Sequence, residues 1–205
     1  MSYWINVAVV LISCVLAALI GVVLIPYLKK IHFGQTILDI GPKWHKDKQG
    51  TPIMGGFMFI ISSIVSVVIG YLLYRGRYMV DVTSAETTKN ALRLLSCILF
   101  SVLFGGIGFM DDYIKAVKKR NLGLSPKQKM LFQFILSAAF LAALYALGDT
   151  STEIDFIFFR LDFGIFYYPV MIAFIIYVSN AVNLTDGVDG LCGSVTVCLL
   201  YTSDA

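Results

Sequence analysis

The chain has 205 residues, of which 58% are hydrophobic and 14% charged, with a mean hydropathy of +0.81 and a formal net charge of +3. Soluble domains carry roughly 45–50% apolar residues, so this composition excludes a water-soluble globular fold, and the small net charge gives no support to nucleic-acid binding. The apolar residues arrive in blocks of the length, about 20 residues, that crosses a hydrocarbon core of about 30 Å. This predicts an all-α fold, a polytopic transmembrane helix bundle forming a single integral-membrane domain over residues 1–205.

The first block, Ile5 to Leu28, has no basic residue before it and Lys29-Lys30 directly after it. A cleaved signal shows the reverse charge order and a shorter apolar core, so the block reads as a spanning helix. Further spans are predicted over Gly56–Tyr74, Leu92–Met110, Met130–Leu147 and Phe166–Val182. Between the last two, Phe156–Phe159 and Phe163–Tyr167 read as extended segments flanking Arg160–Asp162, a short hairpin. A sixth run begins near Gly190, but Leu191–Tyr201 is too short to span before the polar tail Thr202–Ala205. The expectation is five complete spans and a partial sixth, in a chain truncated at its C-terminus. Cys14, Cys97, Cys192 and Cys198 show no metal or redox spacing and read as packing residues. Residues 26–55 and 111–129 hold eleven of the 16 lysines and arginines. The positive-inside rule therefore puts these two segments in the cytoplasm and the N-terminus outside.

Polar residues gather at the predicted cytoplasmic ends of the spans. Asp111-Asp112 directly follows the third block. A helix C-terminus carries partial negative charge, so two carboxylates there are misplaced unless a cation or an incoming group compensates; the plainer alternative is a solvated pair with Asp111 bonded to Lys115 one turn on. In Asn180–Leu191, Asn180, Asn183, Asp186 and Asp189 recur at steps of three, so adjacent pairs share a helical face, while Gly187 and Gly190 can break the helix or let backbone approach a ligand. Carboxylates and amides suit Mg²⁺, which takes one or two carboxylates and completes its shell with phosphate oxygens and water. A polar turn between spans is the alternative, set against the cost of stranding acids beside hydrocarbon.

Two further segments point to anions. Lys48-Gln49-Gly50-Thr51-Pro52-Ile53-Met54-Gly55-Gly56 leads into the second span, where free backbone N–H groups at a helix N-terminus can meet an anion. Gly55-Gly56 could equally be a helix-packing point, and Thr51-Pro52 a simple cap. The run Lys115, Lys118, Lys119, Arg120 with Lys127 and Lys129 beyond it can hold a diphosphate through charge-assisted bonds, or serve topology and anionic headgroups. Lys115 and Lys127 are the members best placed for phosphate.

Taken together, Thr51-Pro52-Ile53-Met54-Gly55-Gly56, Asp111–Lys115 with Asn121–Ser125 and Lys129–Gln133, and Asn180–Leu191 resemble the phospho-N-acetylmuramoyl-pentapeptide transferase family of MraY-type translocases. The third motif marks the wider polyprenyl-phosphate sugar-1-phosphate transferase superfamily. The resemblance implies ten transmembrane helices in a bacterial inner membrane, a cytoplasmic active site, Mg²⁺ dependence and synthesis of lipid I for peptidoglycan. Its substrates would be UDP-N-acetylmuramoyl-pentapeptide and undecaprenyl phosphate, its leaving product UMP, and its assembly allows a homodimer. It also implies catalytic roles for Asp111, Asp112 and Asp186, with Asp111 the proton acceptor and Asp186 at the metal. Substrate contacts would fall to Lys48, Asn183, Gly187, Val188 and Asp189, joined by Thr51, Lys115 and Lys127 from the reading of the two anion-facing segments. Ile53 departs from the family pattern, which carries a threonine there, and the family's later metal-binding aspartate and histidine-rich loop are expected beyond residue 205. A sister enzyme transferring N-acetylglucosamine-1-phosphate to the same carrier is the nearest alternative; a cation transporter or channel is the alternative of another class.

Overall fold

A computed structural model describes residues 3–30, 54–78, 84–118, 122–156, 159–186 and 190–202. Helix α1 covers Tyr3–Lys30, α2 Gly56–Tyr78, α3 Ala85–Lys118 and α4 Pro126–Ala146. Strands β1 (Glu153–Asp155) and β2 (Arg160–Asp162) follow, then a 3-10 turn at Gly164–Phe166, α5 over Tyr167–Thr185 and α6 over Leu191–Thr202. Among the described residues, five helices are long and apolar enough to cross a membrane, as the block lengths predict. Helix α6 has 12 residues, short of a span as expected.

The helices outrun the hydropathy blocks because hydropathy marks where lipid is, while a helix continues as long as its backbone bonds and caps allow. Helix α3 has 34 residues, about 51 Å at 1.5 Å per residue, against about 30 Å of hydrocarbon. Its start is fixed by Ser84, whose Oγ accepts the Thr87 N–H at 3.2 Å, and by Glu86 in the first turn, both favourable at a helix N-terminus. At the other end it runs two turns past Met110, so Asp111 and Asp112 lie inside the helix rather than at its terminus. The macrodipole acts mainly within the last turn, and that turn holds Lys115 and Lys118.

The hairpin exists, but in another register from the expected one. Glu153 pairs with Asp162, Ile154 with Leu161 and Asp155 with Arg160, so Arg160–Asp162 is a strand and not the turn. The Phe156 N–H donates to the Phe159 carbonyl at 2.8 Å and their rings stack with centroids 4.8 Å apart, so the bonding between β1 and β2 continues to this pair; the residues between them, in the segment expected to be extended, lie outside the described residues. Polar pairs set the register: Arg160 Nε lies 2.6 Å from Asp155 Oδ1, and the Thr152 hydroxyl donates to Asp162. Phe163–Tyr167 is not extended; it forms the 3-10 turn and the first residue of α5.

Packing is inverted relative to a soluble protein. Among the described residues the buried hydrophobics are Leu28, Ile107 and Leu141, whereas Ser62, Ser66, Gln133 and Ser137 are at most 2% exposed. Leu, Val, Ile and Phe side chains instead face outward along all five spans. Lipid tails are as apolar as leucine, so helices associate through small and polar residues rather than through hydrophobic burial. The serines satisfy themselves on their own helices: Ser66 Oγ donates to the Ser62 carbonyl and Ser137 Oγ to the Gln133 carbonyl, each at 2.7 Å. Contacts gather into two compact units, Met1–Lys129 and Met130–Ala205. In the first, α1 packs on α2 and α2 on α3. Gly70 and Gly105 allow this approach, since a Cβ on them would lie 2.5 Å from Val9 and 2.6 Å from Ile60.

Candidate active site

Asp111 and Asp112 emerge where α3 leaves its apolar block, and Lys115 one turn later faces both. Lys115 Nζ lies 2.6 Å from Asp111 Oδ2 and 3.6 Å from Asp112 Oδ1. The i, i+3 and i, i+4 spacings put all three side chains on one face of the helix. The Asp111 side chain is 18% exposed and that of Asp112 33%. The Asp111–Lys115 bond anticipated as the plainer alternative is thus present, and it does not exhaust the cluster: Asp112 has only the longer contact among the described residues.

The second Asp111 oxygen is held from the α3–α4 turn. Leu124 donates its backbone N–H to Asp111 Oδ1 at 2.7 Å. Gly123 lies against the same carboxylate. Next to it, Ser125 and Gln128 form a reciprocal cap on α4: the Gln128 N–H reaches Ser125 Oγ at 3.3 Å, and the Ser125 N–H reaches Gln128 Oε1 at 3.1 Å. With Pro126 at the first helical position, where its missing N–H costs nothing, the turn is pinned on both sides. This cap was missed at the level of sequence, where Ser-x-x-Gln before an apolar run is the available signal; the Leu124 bond has none, because a backbone donor leaves no mark in side-chain identity.

In the second unit, the step-of-three series divides. Asn183 is exposed near the end of α5, and Asp186 is the C-cap residue, with its N–H on the Val182 carbonyl at 3.0 Å. Asn180 instead turns inward. Its Nδ2 donates to Gln133 Oε1 at 2.9 Å and to the Ile176 carbonyl at 2.8 Å, and Gln133 Nε2 reaches Ser179 Oγ at 3.4 Å. Asn180 therefore joins α5 to α4. Gly190 has φ +76°, a left-handed backbone that suits glycine, and its carbonyl accepts the Ser194 N–H at 3.0 Å to start α6.

Asp186 is exposed and has no side-chain partner among the described residues, so its oxygens are open to a hard cation. Among the described residues no three His, Cys, Asp or Glu side chains gather as a metal cage. A cage is not what Mg²⁺ asks of a protein, since one or two carboxylates suffice when phosphate and water complete the shell.

Residues 94–203 match the family described as glycosyl transferase family 4, a stretch that takes in both acidic motifs and more than half of the chain. The chain belongs to glycosyl transferase family 4. Relatives named phospho-N-acetylmuramoyl-pentapeptide-transferase are similar to it along most of its length. The one from Halalkalibacterium halodurans is 38% identical over 182 residues, 88% of this chain and 52% of the relative. That of Clostridium perfringens strain 13 is 39% identical over 191 residues, 93% of this chain and 55% of the relative. That of Listeria monocytogenes serotype 4b is 41% identical over 180 residues, 87% of this chain and 52% of the relative. The chain spans about half the length of the curated relatives it matches. With five helices fit to span, this family 4 chain is a multi-pass membrane protein.

The other residues expected at the site are less gathered. Lys127 lies exposed in the first turn of α4. Lys48, Thr51, Gly187, Val188 and Asp189 fall outside the described residues. Of the glycine-rich approach to α2, Met54 has φ +71°, an unusual backbone for a residue with a side chain. A Cβ on Gly55 or Gly56 would have no atom within 4 Å among the described residues.

Proposed function

We propose that the complete protein transfers phospho-N-acetylmuramoyl-pentapeptide from its UDP-linked precursor to undecaprenyl phosphate, releasing UMP, at the cytoplasmic face of a bacterial inner membrane. The reading is carried by one coincidence: relatives bearing that transferase name align across the segment in which two carboxylates and a lysine cluster just past the apolar stretch of α3. A lipid phosphate oxygen attacks the β-phosphorus of the nucleotide, the bond from that phosphorus to the bridging oxygen breaks, and UMP carries the electron pair away. The protein's task in such a transfer is positioning and charge stabilisation. Asp111 accepts the lipid phosphate's remaining proton, which with a second pKa of about 6 is only partly bound at neutral pH. Lys115 neutralises the acid pair and is placed to move onto incoming phosphate, with Lys127 as a second cation. Asp186 would hold Mg²⁺, which would supply charge neutralisation on the diphosphate. Lys48, Thr51, Asn183, Gly187, Val188 and Asp189 contact the nucleotide. The N-terminus lies outside.

The test is UMP release by the complete protein in lipid vesicles. Release should require the muramoyl-pentapeptide nucleotide, undecaprenyl phosphate and Mg²⁺ together. No UMP from the complete mixture sinks the reading. Preference for UDP-N-acetylglucosamine would move it to the sister transferase, an alternative that the relatives' names do not favour.

A further inference from the structure

We infer that Gly123 is a positioning residue for this transfer, acting through Asp111; the inference rests on the transferase reading above. A Cβ at position 123 would lie 2.2 Å from Asp111 Oδ1, 2.7 Å from its Cγ and 2.8 Å from its backbone carbonyl oxygen. Carbon does not approach these atoms so closely, and little around them can give way. The Asp111 carboxylate is short and held at both oxygens, by the Leu124 N–H at 2.7 Å and by Lys115 Nζ at 2.6 Å. The carbonyl belongs to the α3 backbone. On the other side, Ser125 is tied to Gln128 by the reciprocal cap, so the turn cannot simply slide outward. The backbone φ of Gly123 is not in the left-handed region, so the requirement for glycine is one of space.

The absent side chain lets the turn seat on α3 and delivers the Leu124 N–H to Oδ1. That bond fixes the plane of the carboxylate and leaves Oδ2 facing Lys115, along the side where phosphate charge would be exchanged. Any larger residue at 123 pushes the carboxylate off Leu124 or the turn off the helix. Gly123 touches neither substrate nor metal in this scheme; its effect passes through Asp111 alone.

The experiment compares the complete protein with its Gly123→Ala, Asp111→Asn and doubly substituted forms in vesicles containing undecaprenyl phosphate. A displacement of about 1 Å at a reacting group can cost about 100-fold. Gly123→Ala is therefore expected to lower kcat for UMP release about 100-fold while KM for the nucleotide stays within about twofold. In the Asp111→Asn background the same change should cost nothing more. Wild-type kcat in Gly123→Ala, or losses that multiply in the double variant, would overturn the inference. Deuterium exchange at the Leu124 amide reads the contact without activity or a Gly123 variant. That amide should be protected in the wild-type chain and exchange fast in Asp111→Ala; equal rates would overturn the inference. If wild type releases no UMP, the transferase reading fails by itself, and the exchange result still decides the contact.

Discussion

The polar contacts that join α4 to α5 are neutral and sealed, whereas those at the far end of α3 are charged and half open. Gln133 is 2% exposed and shares its amide with Asn180 and Ser179. Asp111, Asp112 and Lys115 keep between 18% and 34% of their side chains accessible. Hydrocarbon sets this division. A neutral amide pair within a span can satisfy itself and then contributes only about 0.6 kcal/mol, at most about 1.7, to holding helices together. A carboxylate at the same depth would cost several kcal/mol, so the acids stand past the last apolar turn, where an incoming phosphate or cation can reach them. The first cluster builds; the second is available for chemistry.

Substitutions in each region test that contrast. Asp111→Asn should lower UMP release by about 10³-fold, within the range of lost proton transfer, with little change in thermal stability in detergent. Near-normal turnover would strip the residue of its proposed part. Asp112→Asn, at a position with a single contact of 3.6 Å among the described residues, should cost about tenfold, less than lost proton transfer; a loss as large as that at Asp111 would show that the two carboxylates act as a unit.

At the sealed cluster the prediction reverses. Gln133→Leu should leave kcat within about threefold and lower stability by about 1 kcal/mol, read as a reduced midpoint in detergent unfolding. Loss of turnover without loss of stability would mean that the α4–α5 junction is part of the site.

The smallest effect is expected in the β1–β2 hairpin. The Thr152 hydroxyl and then the Gly164 N–H hold the Asp162 carboxyl below the usual carboxylate range. A lowered value in the folded state gives a stabilisation present above the unfolded value of about 3.9 and lost as pH falls through the folded one. Protection factors of the hairpin amides should therefore drop only below about pH 4. The same profile in Asp162→Asn would remove the carboxylate as its cause.

The spans were legible because the bilayer imposes a length that no other environment does, and a run such as Ile5–Leu28 has few other uses. The Asp111–Lys115 contact was legible for a similar reason, since helical geometry alone brings i and i+4 together. What escaped depends on geometry that residue identity does not encode. Arg160–Asp162 has the composition of a turn, yet the Asp155–Arg160 pair and the Thr152–Asp162 bond make it a strand. Asn180 shares its spacing with Asn183 and Asp186, but it was the facing helix, through Gln133, that decided its orientation. The end of α3 was misplaced by two turns because charge in the sequence marks where hydrocarbon stops, not where the helix does.

The length of α3 has a consequence for the lipid itself. Met110 and Asp111 are adjacent, so no spacer separates the last apolar turn from the first acid. A membrane only one helical pitch thicker, about 5.4 Å, would draw the carboxylates below the headgroups unless the helix tilted or the surrounding leaflet thinned, at a cost of fractions of a kcal/mol per Å. Acyl-chain length would thereby become a setting on how much water the acids see, with the electrostatics of this site altered and no residue changed.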